Sequence, residues 1–152
     1  MLNFCFLTQD FFSDYSQCPH IPQKPNRPFA QVVLEMNGVV YCMPFRSNIP
    51  HEYAFWTDKE NRCGIDYANT VVIRDRGRSI DQHTRVHIRQ NEFDALRGKD
   101  FQVKQGLERY IRKYFKAKEH LEIPRNKTFV ELSCLQYFED LIEKEETENP
   151  AP

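Results

Sequence analysis

The dipeptide Asn37-Gly38 constrains the fold of this chain more than any other feature. It separates two apolar runs rich in β-branched and aromatic residues, FAQVVLEM and VVYCMPF. Asparagine and glycine both tolerate the positive φ angles that a tight two-residue turn requires. The pattern therefore predicts an antiparallel β-hairpin. Further short strands are predicted at residues 2–7, 51–57, 69–75 and 84–90, and a short helix at 9–17.

The spacing of apolar residues changes in the second half of the chain. Residues 101–121 and 128–146 place apolar side chains every three to four positions, which is typical of amphipathic helices. Early strands followed by late helices favour an α+β fold with an antiparallel sheet or small barrel, and with helices mostly in the C-terminal half. We expect one domain over residues 1–142 and an acidic C-terminal tail over residues 143–152.

The composition excludes several classes of protein. Apolar residues make up 40% of the chain, which is typical of a globular domain, and the net charge of −1 gives no overall field for a polyanion. The five cysteines are dispersed without a Cys-x-x-Cys pair, so we expect reduced thiols and a cytoplasmic protein. The apolar N-terminal segment is too short for a membrane span. The sequence has no recognised metal or nucleotide motif, and we expect no cofactor.

The segment PFRSNIPH ends the predicted hairpin with a cation, a hydroxyl and a titratable ring. Arg46 can neutralise a phosphate, Ser47 can donate to a phosphoryl oxygen, and His51 suits acid–base work near neutral pH. Metal-independent RNA cleavage needs such groups, because the 2′-OH loses a proton, the 5′-oxygen gains one and the phosphorane carries charge. The alternative is an ordinary turn in which the serine caps a backbone group. Asp66, in CGIDYANTVV, either orients an arginine or histidine or belongs to a plain turn.

Basic residues elsewhere form two further candidate RNA contacts. Lys24 and Arg27 lie in a proline-rich stretch that would hold them extended. The predicted helix at 101–121 has a basic face interleaved with Tyr110 and Tyr114, which could stack on unpaired bases. The cations of this helix are Lys104, Arg109, Arg112, Lys113, Lys116 and Lys118. The alternatives are a solvated loop, and a solvated helix face whose tyrosines lie in the core.

The order of these stretches resembles a known family. The segments FF-x-DY, QKPNRPF, VVLEMNG, PFRSNIPHEYAF, GIDYANTVVI and SCLQYFEDL follow one another as in the toxins of type III toxin–antitoxin systems. The chain is most similar to the TenpN/CptN branch and more distantly similar to ToxN/AbiQ. The resemblance covers nearly the whole chain and rests on the order and spacing of short motifs.

The resemblance implies a function, a fold and partners. Such toxins are metal-independent endoribonucleases with a strongly bent antiparallel sheet similar to that of the MazF/Kid toxins. They cleave mRNA, which arrests growth or aborts phage infection. A repeated small RNA antitoxin, often a pseudoknot, blocks the active site, and the toxin processes its precursor. Toxin and RNA close into a ring-like assembly, so the resemblance implies neither a protein antitoxin nor a membrane.

The resemblance also assigns roles to individual residues. Arg27 corresponds to the cation before the first hairpin strand, and Arg46-Ser47 to the Arg-Ser pair after the second. His51 matches a histidine that follows this pair in the TenpN/CptN branch. Ser133 corresponds to the serine at the entry to the last helix. The implied catalytic residues are Arg27, Arg46, Ser47 and His51, and the implied products carry 2′,3′-cyclic phosphate and 5′-OH ends.

The chain departs from the ToxN pattern at two positions. Gln23 stands where ToxN-type sequences have a tyrosine, and Ile49 stands where they have a lysine. We infer that His51 replaces that lysine and that Lys24 supplies a cation near the missing tyrosine. Two other classes stay open, namely a non-catalytic RNA-binding module that uses the same cations and a protein-interaction domain whose basic helix pairs with an acidic partner.

Overall fold

The fold is seen in a computed structural model that describes residues 2–21 and 29–142. These residues form an α+β fold with a six-stranded antiparallel sheet and with helices mostly in the C-terminal half. Lys24, Arg27 and residues 143–152 lie outside the described residues. The strands are β1 (Asn3–Cys5), β2 (Gln31–Met36), β3 (Val39–Arg46), β4 (Ala54–Asp58), β5 (Cys63–Asp66) and β6 (Val71–Ile73). The helices are α1 (Gln9–Asp14), α2 (Arg76–Ser79), α3 (Gln90–Leu96), α4 (Asp100–Lys118) and α5 (Pro124–Leu132), with 3₁₀ turns at Tyr67–Asn69 and Cys134–Tyr137.

The predicted hairpin at Asn37-Gly38 is confirmed. Strands β2 and β3 pair antiparallel, and the two turn residues have φ angles of 53° and 80°. Positive φ at both positions matches the twist of the flanking strands. Val32, Cys42 and Met43 are fully buried, so the hairpin forms the centre of the core.

Strand β3 has two partners along its second edge. Residues 40–42 pair with β6, and residues 45–46 pair with β5. Strand β4 pairs with the far edge of β5, and β1 with the far edge of β2, so the order is β1-β2-β3-β5-β4 with β6 beside β3. Because β1 and β4 lie at opposite ends of this order, the sheet is open. The predicted antiparallel sheet is confirmed, and the alternative of a small barrel is not.

The segment at residues 84–90, predicted as a strand, forms no strand. Its alternating residues Val86 and Ile88 are half-buried, while their neighbours are exposed. The alternation therefore reflects an extended segment lying on the surface without ladder pairing. A period of two marks one buried face but does not supply a partner strand.

The predicted helix at 128–146 is interrupted within the described residues. Helix α5 begins earlier, at Pro124, which suits the first helical position because the N–H there needs no partner within the helix. At Ser133 the backbone is extended with ψ 134°, and its hydroxyl caps the following 3₁₀ turn. Tyr110 Oη also donates to Ser133 Oγ at 2.7 Å, so the buried serine has partners that a continuous helix would not provide.

Helix α4 lies against the 3₁₀ turn that joins β5 to β6. Tyr67, in that turn, donates from its hydroxyl to the carbonyl oxygen of Val103 at 2.9 Å. A Cβ atom at Gly106 would lie 2.3 Å from the same hydroxyl. Glycine inside a helix is unfavourable by about 1 kcal/mol relative to alanine. At position 106 this cost is accepted because a larger residue would not leave room for Tyr67.

We expect Gly106→Ala to destabilise the fold by about 1–3 kcal/mol, because the added methyl group overpacks against Tyr67. The free energy of unfolding in urea measures this effect. Gly77→Ala is the matched control, since the nearest atom to a Cβ there is Asp75 Oδ1 at 3.5 Å. Equal stability of the two variants would show that Tyr67 yields without cost.

Candidate active site

Arg46, His51 and Asp66 meet where strand β3 ends. Arg46 is the last residue of β3 and pairs in register with Gly64 of β5. Asp66 is the last residue of β5 and pairs with Ala54 of β4. His51 belongs to the loop between β3 and β4. Because β3, β5 and β4 are neighbours in the sheet, Arg46 and Asp66 are in contact although they are 20 residues apart in the sequence.

The carboxylate of Asp66 is the centre of this cluster, and the residue is fully buried. Its Oδ2 accepts from Arg46 Nη1 at 2.8 Å and from Asn69 Nδ2 at 2.6 Å. Its Oδ1 accepts from the backbone N–H of Ala68 at 2.9 Å and lies 3.0 Å from His51 Nε2. The buried charge is thus surrounded by the donors that it requires.

Two opposing effects set the protonation state of Asp66. Burial raises the pKa of this carboxyl, but the close approach of His51 and the hydrogen bonds from Asn69 and Arg46 outweigh burial. The resulting pKa lies below the ordinary value of an aspartate. Asp66 is therefore ionised at neutral pH and supplies a fixed negative charge that orients the arginine and the histidine.

The two ring nitrogens of His51 have different surroundings. Nδ1 accepts a hydrogen bond from the backbone N–H of Tyr53 at 3.0 Å, so the proton of the neutral ring lies on Nε2. Nε2 is close to Asp66 Oδ1, but this contact lacks the alignment of a hydrogen bond, and Nε2 has no aligned partner among the described residues. Nδ1 is the nitrogen that could exchange a proton with a ligand, once the local bond from Tyr53 is released.

Ser47 and Arg46 offer free donors at the same end of β3. Ser47 is exposed and forms no hydrogen bond with the described residues. Arg46 keeps a buried Nε without a hydrogen-bond partner in the described ranges, and its guanidinium lies 5.7 Å from the ring centroid of Phe29. A hydroxyl and a guanidinium at one strand end suit an anion with several oxygens, such as a phosphate.

Arg62 holds the loop that carries His51. Its guanidinium donates to the carbonyl oxygens of Ile49 and His51, both at 2.7 Å, and to Glu52 Oε1 at 3.0 Å. In return, the backbone N–H of Ile49 donates to the carbonyl oxygen of Arg62 at 3.1 Å. The side chain of Ile49 is fully buried, so the loop is anchored on both sides of His51.

We expect Arg62→Ala to destabilise the fold by about 1.5–3 kcal/mol, because two carbonyl groups lose a charged donor. Urea unfolding measures this loss. Arg89→Ala is the matched control, since the side chain of Arg89 is 73% exposed and its only ion pair in the described ranges is 3.8 Å long. If both variants unfold at the same urea concentration, Arg62 does not anchor the loop.

The cations predicted for the basic face of α4 are of two kinds in the structure, exposed and paired. Its exposed cations are Lys104, Arg109, Arg112, Lys113 and Lys116. Lys118 instead forms an ion pair with Glu139, so its charge is neutralised within the protein. Tyr110 and Tyr114 are 4% and 0% exposed, so of the two alternatives left open for them, the structure supports the one that places them in the core. Helical spacing placed both tyrosines on the apolar face that packs against the core.

Sequence reasoning found Asp66 only as an alternative to a plain turn, and it missed Asn69 and Arg62. One signal for Asp66 was present, because an aspartate between apolar residues at the end of a predicted buried strand must find partners. Arg62 gave no comparable signal, since the loop sequence DKENRCG is polar throughout. Its role follows from the fold alone.

The described residues lack two other kinds of functional feature. They contain no group of three or more histidine, cysteine, aspartate or glutamate side chains placed to hold a metal ion. They also contain no helix that is long and apolar enough to cross a membrane. Comparisons of the chain with protein-family models, with curated proteins and with solved structures found no match.

Proposed function

We propose that this chain is the endoribonuclease toxin of a type III toxin–antitoxin system. One observation carries the proposal: Arg46 and His51 are held by the buried carboxylate of Asp66 at the strand end that exposes Ser47. This arrangement provides a cation, a proton-transfer group and a hydroxyl at one strand end, which are the groups that cleavage at a phosphate requires. The resemblance to the TenpN/CptN branch assigns catalysis to the same segment.

The proposed reaction needs only groups of the chain and the RNA. The 2′-OH of RNA loses its proton as its oxygen forms a bond to phosphorus, and the 5′-oxygen gains a proton as its bond to phosphorus breaks, which leaves a 2′,3′-cyclic phosphate and a 5′-OH. His51 transfers a proton through Nδ1 after Tyr53 releases it, as the acid or the base of this step. Arg46 and Ser47 stabilise the charge of the phosphorane.

Arg27 is proposed as a second cation at the phosphorane. Its position in the sequence supports this role, because Phe29, two residues later, lies against the guanidinium of Arg46. Lys24 would add a further positive charge from the same stretch. Both residues are outside the described ranges, and their roles come from the resemblance.

The proposal includes the inhibitor and the setting. A repeated small RNA would bind the toxin in a ring-like assembly, and the toxin would process the precursor of this RNA in the cytoplasm. The open sheet described above would be related to the strongly bent sheet of the MazF/Kid toxins. Cellular mRNA would be the substrate of the free toxin.

Expression in bacteria tests the proposed function. The wild-type chain expressed alone should arrest growth, and the chain expressed with its upstream DNA should copurify with stoichiometric small RNA. A non-catalytic RNA-binding module would copurify with RNA but would not arrest growth. A protein-interaction domain would do neither, and either result would contradict the proposal.

The exposed cations of α4 give a further prediction. Arg112→Glu combined with Lys116→Glu should weaken binding of the antitoxin RNA and flatten its dependence on salt. With fewer phosphate contacts, binding releases fewer counterions. Filter binding over a series of salt concentrations measures both quantities. Lys118→Glu is the control with a smaller expected effect, since Lys118 is paired with Glu139. Unchanged affinity and slope in the double variant would place the antitoxin elsewhere.

A further inference from the structure

A small cavity lies beside the candidate active site, between β4 and helix α4. Its volume is about 210 Å³, and its lining includes Tyr53, Tyr67, Arg109, Tyr110 and Lys113. Pockets for drug-sized molecules measure about 300–1,000 Å³. This cavity therefore suits a single small group of a larger ligand.

Two cations of α4 line this cavity and form no ion pair with the described residues. Arg109 and Lys113 are four residues apart, so they lie on the same side of the helix. The ammonium of Lys113 lies 5.6 Å from the ring centroid of Tyr53 and 5.3 Å from that of Phe129. Two unpaired cations at one cavity, one of them held over aromatic rings, attract an anion.

Three other polar side chains of the cavity already have partners. The hydroxyl of Tyr67 donates to the carbonyl oxygen of Val103, and that of Tyr110 donates to Ser133 Oγ. Glu52 also lines the cavity, but its carboxylate accepts from Arg62 at 3.0 Å. Arg109 and Lys113 therefore remain to bind a ligand, and their chemistry favours a phosphate.

Tyr53 joins the cavity to the candidate active site. Its backbone N–H donates to His51 Nδ1, and its ring centroid lies 5.6 Å from that of His51. The same side chain lines the cavity. Only Tyr53 therefore separates a ligand in the cavity from His51, the group that would transfer a proton.

We propose that this cavity binds the RNA phosphate next to the one that is cut, with Arg109 and Lys113 as its cations. The inference rests on the proposed function and deepens it, because it assigns two residues of α4 to the substrate strand. Arg112 does not share this position. At 100° per residue, it lies about 100° around the helix from Lys113.

Binding of a short RNA that cannot be cleaved tests the inference. The probe is a fluorescent hexanucleotide with 2′-O-methyl groups, which lacks the attacking 2′-OH. Arg109→Ala combined with Lys113→Ala should lower its affinity at least about tenfold, because charged hydrogen bonds are lost. The slope of log affinity against log salt concentration should become shallower by about 0.7, which is the value for one phosphate contact on a single strand. Fluorescence anisotropy measures both.

The matched control is Arg85→Ala combined with Lys59→Ala, which removes the same charge at two exposed residues that the proposal does not place against RNA. This control should change the affinity for the hexanucleotide less than about twofold. Equal losses in the two double variants, or no loss in either, would overturn the inference. Equal competition by polyglutamate would also overturn it, since the cavity would then accept any polyanion.

A second substrate separates this inference from the proposed function. A dinucleoside monophosphate contains only the phosphate that is cut, so Arg109→Ala with Lys113→Ala should leave its kcat/KM unchanged. A large loss on this substrate would place the two cations at the scissile phosphate and contradict the inference. If the wild-type chain cuts no RNA, the proposed function fails, and the anisotropy result still decides whether the cavity binds an RNA phosphate.

Discussion

His51→Ala and Ser47→Ala should each lower the rate of RNA cleavage about a hundredfold or more. Loss of a positioned acid or base, or of one donor to a charged intermediate, typically has an effect of this size. Both side chains are at the surface, with Ser47 exposed and His51 partly so, and therefore neither change should unfold the chain. Cells that express either variant should grow, and the purified variants should still bind the antitoxin RNA.

Two controls isolate this effect. His83 and Ser16 are exposed residues outside the cluster, so His83→Ala and Ser16→Ala should leave cleavage unchanged. The cleavage rate of a labelled RNA, measured in single turnover, compares all four variants. Full activity in His51→Ala would remove the histidine from the reaction, and growth arrest by both site variants would refute the assignment of the segment.

Asp66→Asn should destabilise the fold by about 2–4 kcal/mol. The amide keeps the size of the side chain but removes the charge that Arg46 and His51 share, and unpairing a buried ion pair has a cost of this order. The side chains of Arg46 and His51 are 27% and 23% exposed, which lets water reach them and keeps the loss below that of a fully buried pair. Urea unfolding at neutral pH measures the difference.

The contribution of Asp66 to the stability of the fold should depend on pH in a definite direction. The pKa of Asp66 is lower in the folded protein than its ordinary value, which is about 3.9 in an unfolded chain. Its contribution to stability is therefore fully present above about pH 4 and is lost as the pH falls through the folded pKa. The difference between wild type and Asp66→Asn should shrink in acid. Asp58→Asn, at the half-buried aspartate that ends β4 and accepts from Asn61, is the control, and an equal effect there would contradict a central role for Asp66.

The elements that the sequence predicted correctly are those with a local physical cause. Asn37-Gly38 requires a tight turn wherever the chain places it, and the spacing of Leu107, Ile111 and Tyr114 requires a helix with one buried face. The end of α5 was not predictable in this way. Apolar spacing continues through Ser133, where the helix ends, and the hydroxyl that Ser133 contacts there belongs to Tyr110, 23 residues away.

The candidate site shows the same division. Arg46, Ser47 and His51 were visible as a group because they lie within six residues. Asp66 joins them only through the pairing of β3 with β5, and the sequence does not reveal which strands are neighbours. The cavity at Tyr53 depends on the same long-range geometry, since Gly106 allows α4 to approach the 3₁₀ turn.

The chemistry of the cut ends tests the central claim most directly. A labelled transcript is incubated with the purified wild-type chain in excess EDTA, and the fragments are examined for their terminal groups. We predict cleavage without divalent ions, fragments with 2′,3′-cyclic phosphate and 5′-OH ends, and about a hundredfold slower formation of these fragments with His51→Ala. An intact transcript, or cleavage that requires a divalent ion and leaves 5′-phosphate ends, would contradict the proposed function.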